Sequence, residues 1–108
     1  GLSKKKDNLD LIDTLEKAEE FIDSLDKARR GRVDRFYYLF EEYGFNLPSN
    51  YLKKLNKDVW ELRPGDVRLF LTIKGNRGIV VHGIYKKSQK TPKKDLDLAI
   101  ERTKREDL

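Results

Sequence analysis

The sequence contains no cysteine and no methionine, a single histidine, a single tryptophan and only three prolines among 108 residues. Without thiols there is neither a disulfide framework nor a thiolate metal site, a pattern expected of a cytoplasmic protein. One histidine excludes a multi-histidine metal centre, and a carboxylate-only site has no support in the basic strand region. Neither a metal nor a cofactor is therefore expected. No apolar run approaches the roughly 18 residues that cross a bilayer, and no secretory leader pattern opens the chain, so no membrane role is expected. A glycine-rich phosphate loop ahead of a helix and a serine in a nucleophile elbow are also missing, which argues against the nucleotide-binding and hydrolase folds built on them.

What is present is charge. Charged residues make up 40% of the chain against 37% apolar ones, which implies one domain with a thin core and a strongly solvated surface. The net charge of +5 is unevenly placed. Residues 1–52 carry a net of −2 and residues 95–108 again −2, whereas residues 53–94 hold 12 basic and 3 acidic side chains, a net of +9. A basic middle between mildly acidic flanks directs a field at a polyanion. The plainer alternative is that the lysines are only solvated, but this charge falls among strands and strand ends.

Residues 1–12, with Lys4, Lys5 and Lys6, have the composition of a polar tail, and residues 13–108 form the expected single domain. From about Asp13 the apolar spacing is helical, with Ile12, Leu15, Ile22 and Leu25 on one stripe. Arg29-Arg30-Gly31-Arg32 interrupts it, with Gly31 as the expected helix stop. Val33, Phe36, Tyr37, Phe40 and Tyr43 then trace a second helix ending at Gly44. This aromatic stripe is a core-packing face rather than a base-stacking one. The period next changes to two. Val59–Arg63, Val67–Lys74 and Ile79–Lys87 alternate as strands, separated by Pro64-Gly65-Asp66 and by Gly75-Asn76-Arg77-Gly78. Thr91 as N-cap and Pro92 at the first helical position open a last helix to about Lys104. The expected class is α+β, with a helical hairpin and a C-terminal helix on one face of a small antiparallel sheet, and no strand ahead of the first helix.

The chemistry-bearing groups left by these exclusions are Arg63, Arg68, His82, Lys86, Lys87, Gln89 and Lys90, on strands or just after them. Here the sequence resembles a known family. Trp60-Glu61-Leu62-Arg63, Arg68-Leu69-Phe70 and His82-Gly83-Ile84-Tyr85-Lys86-Lys87-Ser88-Gln89-Lys90-Thr91-Pro92 look like the phage-derived, HigB-like branch of the RelE/ParE toxin superfamily. The Lys-Lys-Ser-Gln-Lys-Thr-Pro run between a last strand and a helix is the most specific part. The helical hairpin and Leu47-Pro48 also match, so the likeness covers roughly residues 15–105. Members of that branch usually begin with a short strand, and residues 1–14 depart from the pattern.

The resemblance implies a metal-independent endoribonuclease that cuts mRNA in the ribosomal A site. The ribose 2′-hydroxyl attacks the adjacent phosphate, leaving a 2′,3′-cyclic phosphate and a 5′-hydroxyl. The protein must then orient the RNA, stabilise the phosphorane and move protons. Arg63 and Arg68 suit the phosphorane because a guanidinium keeps its charge and donates two hydrogen bonds at once. Lys86 and Lys87 add electrostatic support. The alternative for Arg63 is an ion pair with Glu61 or Asp66. His82 is the candidate general acid–base, its alternative being a packed structural residue; Glu61 or a lysine is the other candidate for proton transfer. Lys53, Lys54 and Lys57, with Gln89 and Lys90, are candidate RNA contacts, the three lysines alternatively lying in a solvated loop. The same resemblance implies a cognate helix-turn-helix antitoxin as partner, with operator DNA bound only through the toxin–antitoxin complex. Two other functions stay open: a ParE-like inhibitor of DNA gyrase, and a binding module of this fold that has lost catalysis.

Overall fold

The strict alternation of Val67, Leu69, Leu71 and Ile73 builds the centre of the molecule, an antiparallel hairpin of β4 (Val67–Lys74) and β5 (Arg77–Tyr85). A computed structural model describes residues 11–105 of the chain. Lys74 pairs with Arg77 across Gly75-Asn76, and only Gly75 in this turn has a positive φ, 62°, which is the type II′ geometry that matches the twist of the strands. Outward from β4 lie β3 (Trp60–Leu62) and β2 (Leu52–Lys54), both antiparallel. Beyond β5 lies β1 (Leu11–Thr14), which runs parallel to it, giving a five-stranded sheet in the order β1-β5-β4-β3-β2.

The α+β class is therefore as expected, while β2 is an edge strand that was not expected and three further details differ. The strand ahead of the first helix is present. Over Ile12 to Thr14 only Ile12 is buried, so alternation gives too weak a signal to recognise; the pairing comes from the β5 backbone. Two contacts from the second helix brace it: the Ile12 N–H donates to Glu41 Oε2 at 3.2 Å, and the Thr14 and Tyr37 hydroxyls bond at 2.6 Å. The polar tail expected over residues 1–12 lies outside the described residues up to position 10, and Leu11 and Ile12 belong to β1.

The second difference is that the helices cover both faces. α1 (Glu16–Asp23) and α2 (Lys27–Tyr43) pack on the face bearing Val67, Leu69, Leu71 and Val80. α3 (Lys93–Arg105) packs with Leu96, Ala99 and Ile100 on the other, against Val59, Phe70, Ile79 and Val81. Phe70 and Leu69 are both fully buried, which requires cover on each side. A bulge helps: Phe70 pairs with His82 but Leu71 with Val80, so Val81 is an extra residue. Val80 can then face the helical pair while Val81 and His82 both face α3.

The third difference is the corner between α1 and α2. It falls at Ser24–Asp26, where Leu25 is buried and Asp26 caps α2, its side chain accepting from the Arg29 N–H. Gly31 sits exposed inside α2, a cost of roughly 1 kcal/mol relative to alanine that seventeen residues of helix absorb. Gly44 does end α2, its N–H donating to Phe40 O.

Candidate active site

The face of the sheet that carries Phe70 also carries, toward the β3–β4 turn, the side chains most relevant to chemistry. Cross-strand register puts Lys53, Glu61 and Phe70 in one row and Arg68 opposite Ile84 in the next. Strand β5 ends at Tyr85, and residues 86–92 lead from it to α3. A shallow cleft opens there, lined by Glu61, Arg68 and Ile84 from the sheet and by Lys86 through Pro92 from the connection.

Glu61 forms the floor and is only 1% exposed. A buried carboxylate is costly unless paired, and here both oxygens are engaged. The Arg63 Nε–H donates to Oε1 at 2.8 Å, and the Thr91 hydroxyl donates to Oε2 at 2.8 Å. Arg63 thus forms the ion pair with Glu61 that the sequence left as an alternative, and is joined to the cleft through that carboxylate. Arg68 is fixed by backbone: its Nη1 donates to Gly65 O at 2.6 Å and Val67 O at 2.8 Å. Burial lowers its pKa; Glu61 opposes that shift, the Arg63 charge adds to it, and Asp66 opposes it. The guanidinium remains protonated at neutral pH.

The turn that carries Arg63 and Arg68 is braced from α2. The Arg29 Nη2 meets Asp66 Oδ2 at 2.6 Å and its Nε donates to Oδ1 at 3.0 Å, while the Asp66 carbonyl accepts from the Lys86 N–H at 2.7 Å. Hydrogen bonding from Arg29 holds the Asp66 carboxyl below its usual range, and the same contacts raise the pKa of Arg29. One carboxylate and its backbone therefore tie α2, the β3–β4 turn and the start of the 86–92 connection together.

His82 does not line the cleft, and its contacts are those of the packed structural alternative. Its ring stacks on Phe70 with centroids 5.4 Å apart. Arginine can only donate, so the 3.3 Å contact from Arg102 Nη1 makes Nδ1 an acceptor; Nε2–H then donates to Asp95 Oδ1 at 2.9 Å. Burial lowers the pKa of His82, partly offset by the Asp95 hydrogen bond, while Arg102 lowers it further. With both nitrogens occupied and the ring neutral, His82 clamps β5 to α3. The Arg102 Nη1 also takes up the Val81 carbonyl at 2.8 Å, a group displaced from the ladder by the bulge. Asp95 Oδ2 is buried without a hydrogen bond, and the Lys87 ammonium stands 3.9 Å away, within ion-pair reach but too far to bond.

The structure thus brings Glu61, Arg63, Arg68, Lys86, Lys87, Gln89 and Lys90 together and leaves His82 out. Lys53 is exposed on the cleft side of β2, beside Glu61 in register. Lys54 lies on the other face, its ammonium 5.6 Å from the Trp60 ring centroid, and Lys57 is exposed in the β2–β3 connection. Two participants escape a reading of the sequence. Thr91, expected as the N-cap of α3, lies one residue ahead of that position: α3 begins at Lys93, Pro92 O accepts from the Asp95 and Leu96 N–H groups, and the threonine hydroxyl turns to Glu61. Asp95 carries no linear signal beyond that of an acid in a first helical turn.

The arrangement of these elements defines a RelE-like α+β fold. Among solved structures it is similar to one described as the crystal structure of an archaeal RelE–RelB complex from Pyrococcus horikoshii OT3, with a TM-score of 0.62 and 18% identity, over 72% of this chain and 96% of that one. No curated protein sequence matches the chain. Residues 20–104 match the family described as Phage derived protein Gp49-like (DUF891), and the chain belongs to that family. Among the described residues no helix is long and apolar enough to cross a membrane.

Proposed function

We propose that this chain is the toxin of a type II toxin–antitoxin pair, of the HigB-like branch of the RelE/ParE superfamily, acting in the cytoplasm as a ribosome-dependent mRNA endoribonuclease. The observation that carries the reading is the convergence of Arg68, Lys86, Lys87 and Lys90 around one cleft whose floor, Glu61, is neutralised by Arg63. After Glu61 is paired with Arg63, several cations are left without an acidic partner of equal number, which is what a scissile phosphodiester requires. RNA brings its own nucleophile. The 2′-hydroxyl oxygen attacks phosphorus in line, its proton is lost, the bond to the 5′-oxygen breaks, and that oxygen takes up a proton. Arg68 and Arg63 stabilise the charge that gathers on the phosphorane oxygens, with Lys86 and Lys87 adding positive potential. Gln89, Lys90 and Lys53 hold neighbouring phosphates or bases of the strand, and Lys54 and Lys57 extend the positive field along the β2 edge. His82 acts only through the clamp it makes with Asp95 and Arg102.

The RelE-like neighbour is described in complex with RelB, and a small partner antitoxin is the corresponding expectation here, one with a helix-turn-helix domain through which operator DNA is bound. Masking the basic cleft, or blocking entry to the A site, would silence the enzyme.

The decisive experiment is induced expression with transcript 5′ ends mapped, for the wild type and for Arg68→Ala. Cuts confined to translated reading frames, lost in the variant along with growth arrest, support the proposal. A wild-type protein that arrests growth without cutting transcripts, yet inhibits supercoiling by purified gyrase, would establish the ParE-like reading instead. Absence of both activities would leave a binding module.

A further inference from the structure

The contact between Thr91 and Glu61 spans thirty residues of sequence and joins the middle of β3 to the end of the 86–92 connection. Those residues carry Lys86, Lys87, Gln89 and Lys90, all exposed. At the start of the connection the Lys86 N–H is bonded to Asp66 O at 2.7 Å, and at its end the Thr91 hydroxyl reaches a carboxylate that is itself locked to Arg63. Between these anchors the only described internal contact is from Ser88 Oγ to Lys90 O at 2.8 Å. Beyond it only the Lys87 ammonium, 3.9 Å from Asp95 Oδ2, reaches to α3, so a segment this short and rich in long flexible side chains has little else to hold its backbone in one conformation. Pro92 stands at the cap of α3, its carbonyl accepting from the Asp95 and Leu96 N–H groups, and the Thr91 hydroxyl is turned to the buried acid.

We infer that Thr91 and Glu61 form a positioning latch: the hydroxyl–carboxylate contact holds the 86–90 segment, and through it the lysine ammoniums, in place over the cleft before RNA arrives. Glu61 on this view is not a proton shuttle. Its two oxygens divide the work, one fixing Arg63 on β3 and the other fixing the connection, so that groups from two separate elements share a single reference point. The latch rests on the nuclease reading for its effect on rate, but not for its effect on the backbone. Loss of the latch should leave the long-range attraction of RNA to the basic face almost untouched, because that attraction depends on charge and not on a particular geometry. It should reduce the rate of the chemical step, which depends on donors held where charge develops.

The test uses the full chain and three forms: wild type, Thr91→Val, which has nearly the same shape but no hydroxyl, and Thr91→Ser, which restores the donor. Backbone order parameters of residues 87–90 are measured by nitrogen-15 relaxation without RNA. Cleavage is measured on ribosomes programmed with a defined mRNA. In Thr91→Val the order parameters are expected to fall from rigid values near about 0.85 toward about 0.6. The kcat is expected to fall about ten- to a hundredfold with KM within about twofold, and Thr91→Ser recovers both properties. Unchanged order parameters in Thr91→Val overturn the latch. So does a lowered melting temperature with kcat intact, which would make the contact merely structural. If wild-type protein cuts no mRNA at all, the nuclease reading fails, and the order parameters still decide whether the latch exists.

Discussion

His82 illustrates how much a side chain's role depends on what its two nitrogens meet. Packed on Phe70, accepting from Arg102 and donating to Asp95, it is held neutral, with a pKa below its ordinary value of 6.5 because of burial. The charged groups facing it are Asp95, Arg102 and Lys87. The sign of its contribution follows from linkage. Above pH 6.5 the ring is neutral in both folded and unfolded chains and the clamp is at full strength; as pH falls below 6.5 the unfolded chain takes up the proton first, and stability is lost until the folded value is passed. His82→Gln is therefore expected to be less stable than wild type at about pH 7.5, with the gap narrowing by about pH 5.5, as read from urea denaturation. Parallel stability curves for the two proteins across that interval would refute the clamp. The exposed Asp26 and the half-buried Asp66, held low chiefly by Arg29, act in a separate and more acidic window below their ordinary value of 3.8.

At the scale of the elements, two glycines test how the helices are seated. Gly83 lies on β5 beneath α1, and a Cβ there would stand 2.5 Å from Phe21 Cδ2 and 3.0 Å from Leu69 Cδ2. Both neighbours pack into the core on that side, so neither moves freely. Gly83→Ala is expected to cost about 1–3 kcal/mol of stability by denaturant titration, from overpacking between α1 and the sheet. Gly31 is the opposite case: it lies in mid-helix, and a methyl group added there would meet no atom within 4 Å. Gly31→Ala should stabilise by about 0.4–1 kcal/mol, since the change restricts the unfolded chain and adds helix propensity. A loss of stability at that position would mean that α2 does not run unbroken from Lys27. The alternating pattern of β4 was fully legible in the sequence, and so was the existence of the hairpin after it, although the turn is two residues, Gly75-Asn76, and not the four expected. Strands β1 and β2 were not, because three or four residues carry too little alternation to stand out, and their existence depends on a neighbour's free backbone groups.

At the scale of the whole molecule, the basic residues between positions 53 and 94 fall in separate groups, among them Arg68, Lys86, Lys87 and Lys90 at the cleft, Lys53, Lys54 and Lys57 on and after β2, and Lys74 and Arg77 at the far tip of the β4–β5 hairpin. Association with single-stranded RNA should then be strongly salt-dependent. If Lys53, Lys54 and Lys57 each neutralise a phosphate, replacing all three by alanine lowers the slope of log affinity against log salt by about 2, at about 0.7 per contact. Affinity measured by fluorescence anisotropy over a salt series checks this. An unchanged slope would make those lysines solvent-facing only, and would confine RNA contact to the cleft.

The sequence by itself determined which side chains share a face of β3 and of β4, where the cations concentrate, and the Lys86–Pro92 run that links β5 to α3, but not the faces of β5, which the bulge at Val81 reassigns. It placed Glu61, Arg63, Arg68, Lys86, Lys87, Gln89 and Lys90 in the candidate set, and the fold does gather them. Only the tertiary structure decided that α3 lies across the sheet from α1 and α2, that Glu61 is the buried partner of Arg63 and Thr91, and that His82 is consumed by Asp95 and Arg102. The reason is physical: periodicity reports the direction in which a side chain leaves its own strand, whereas burial and hydrogen-bond partners depend on which distant segment arrives to cover it.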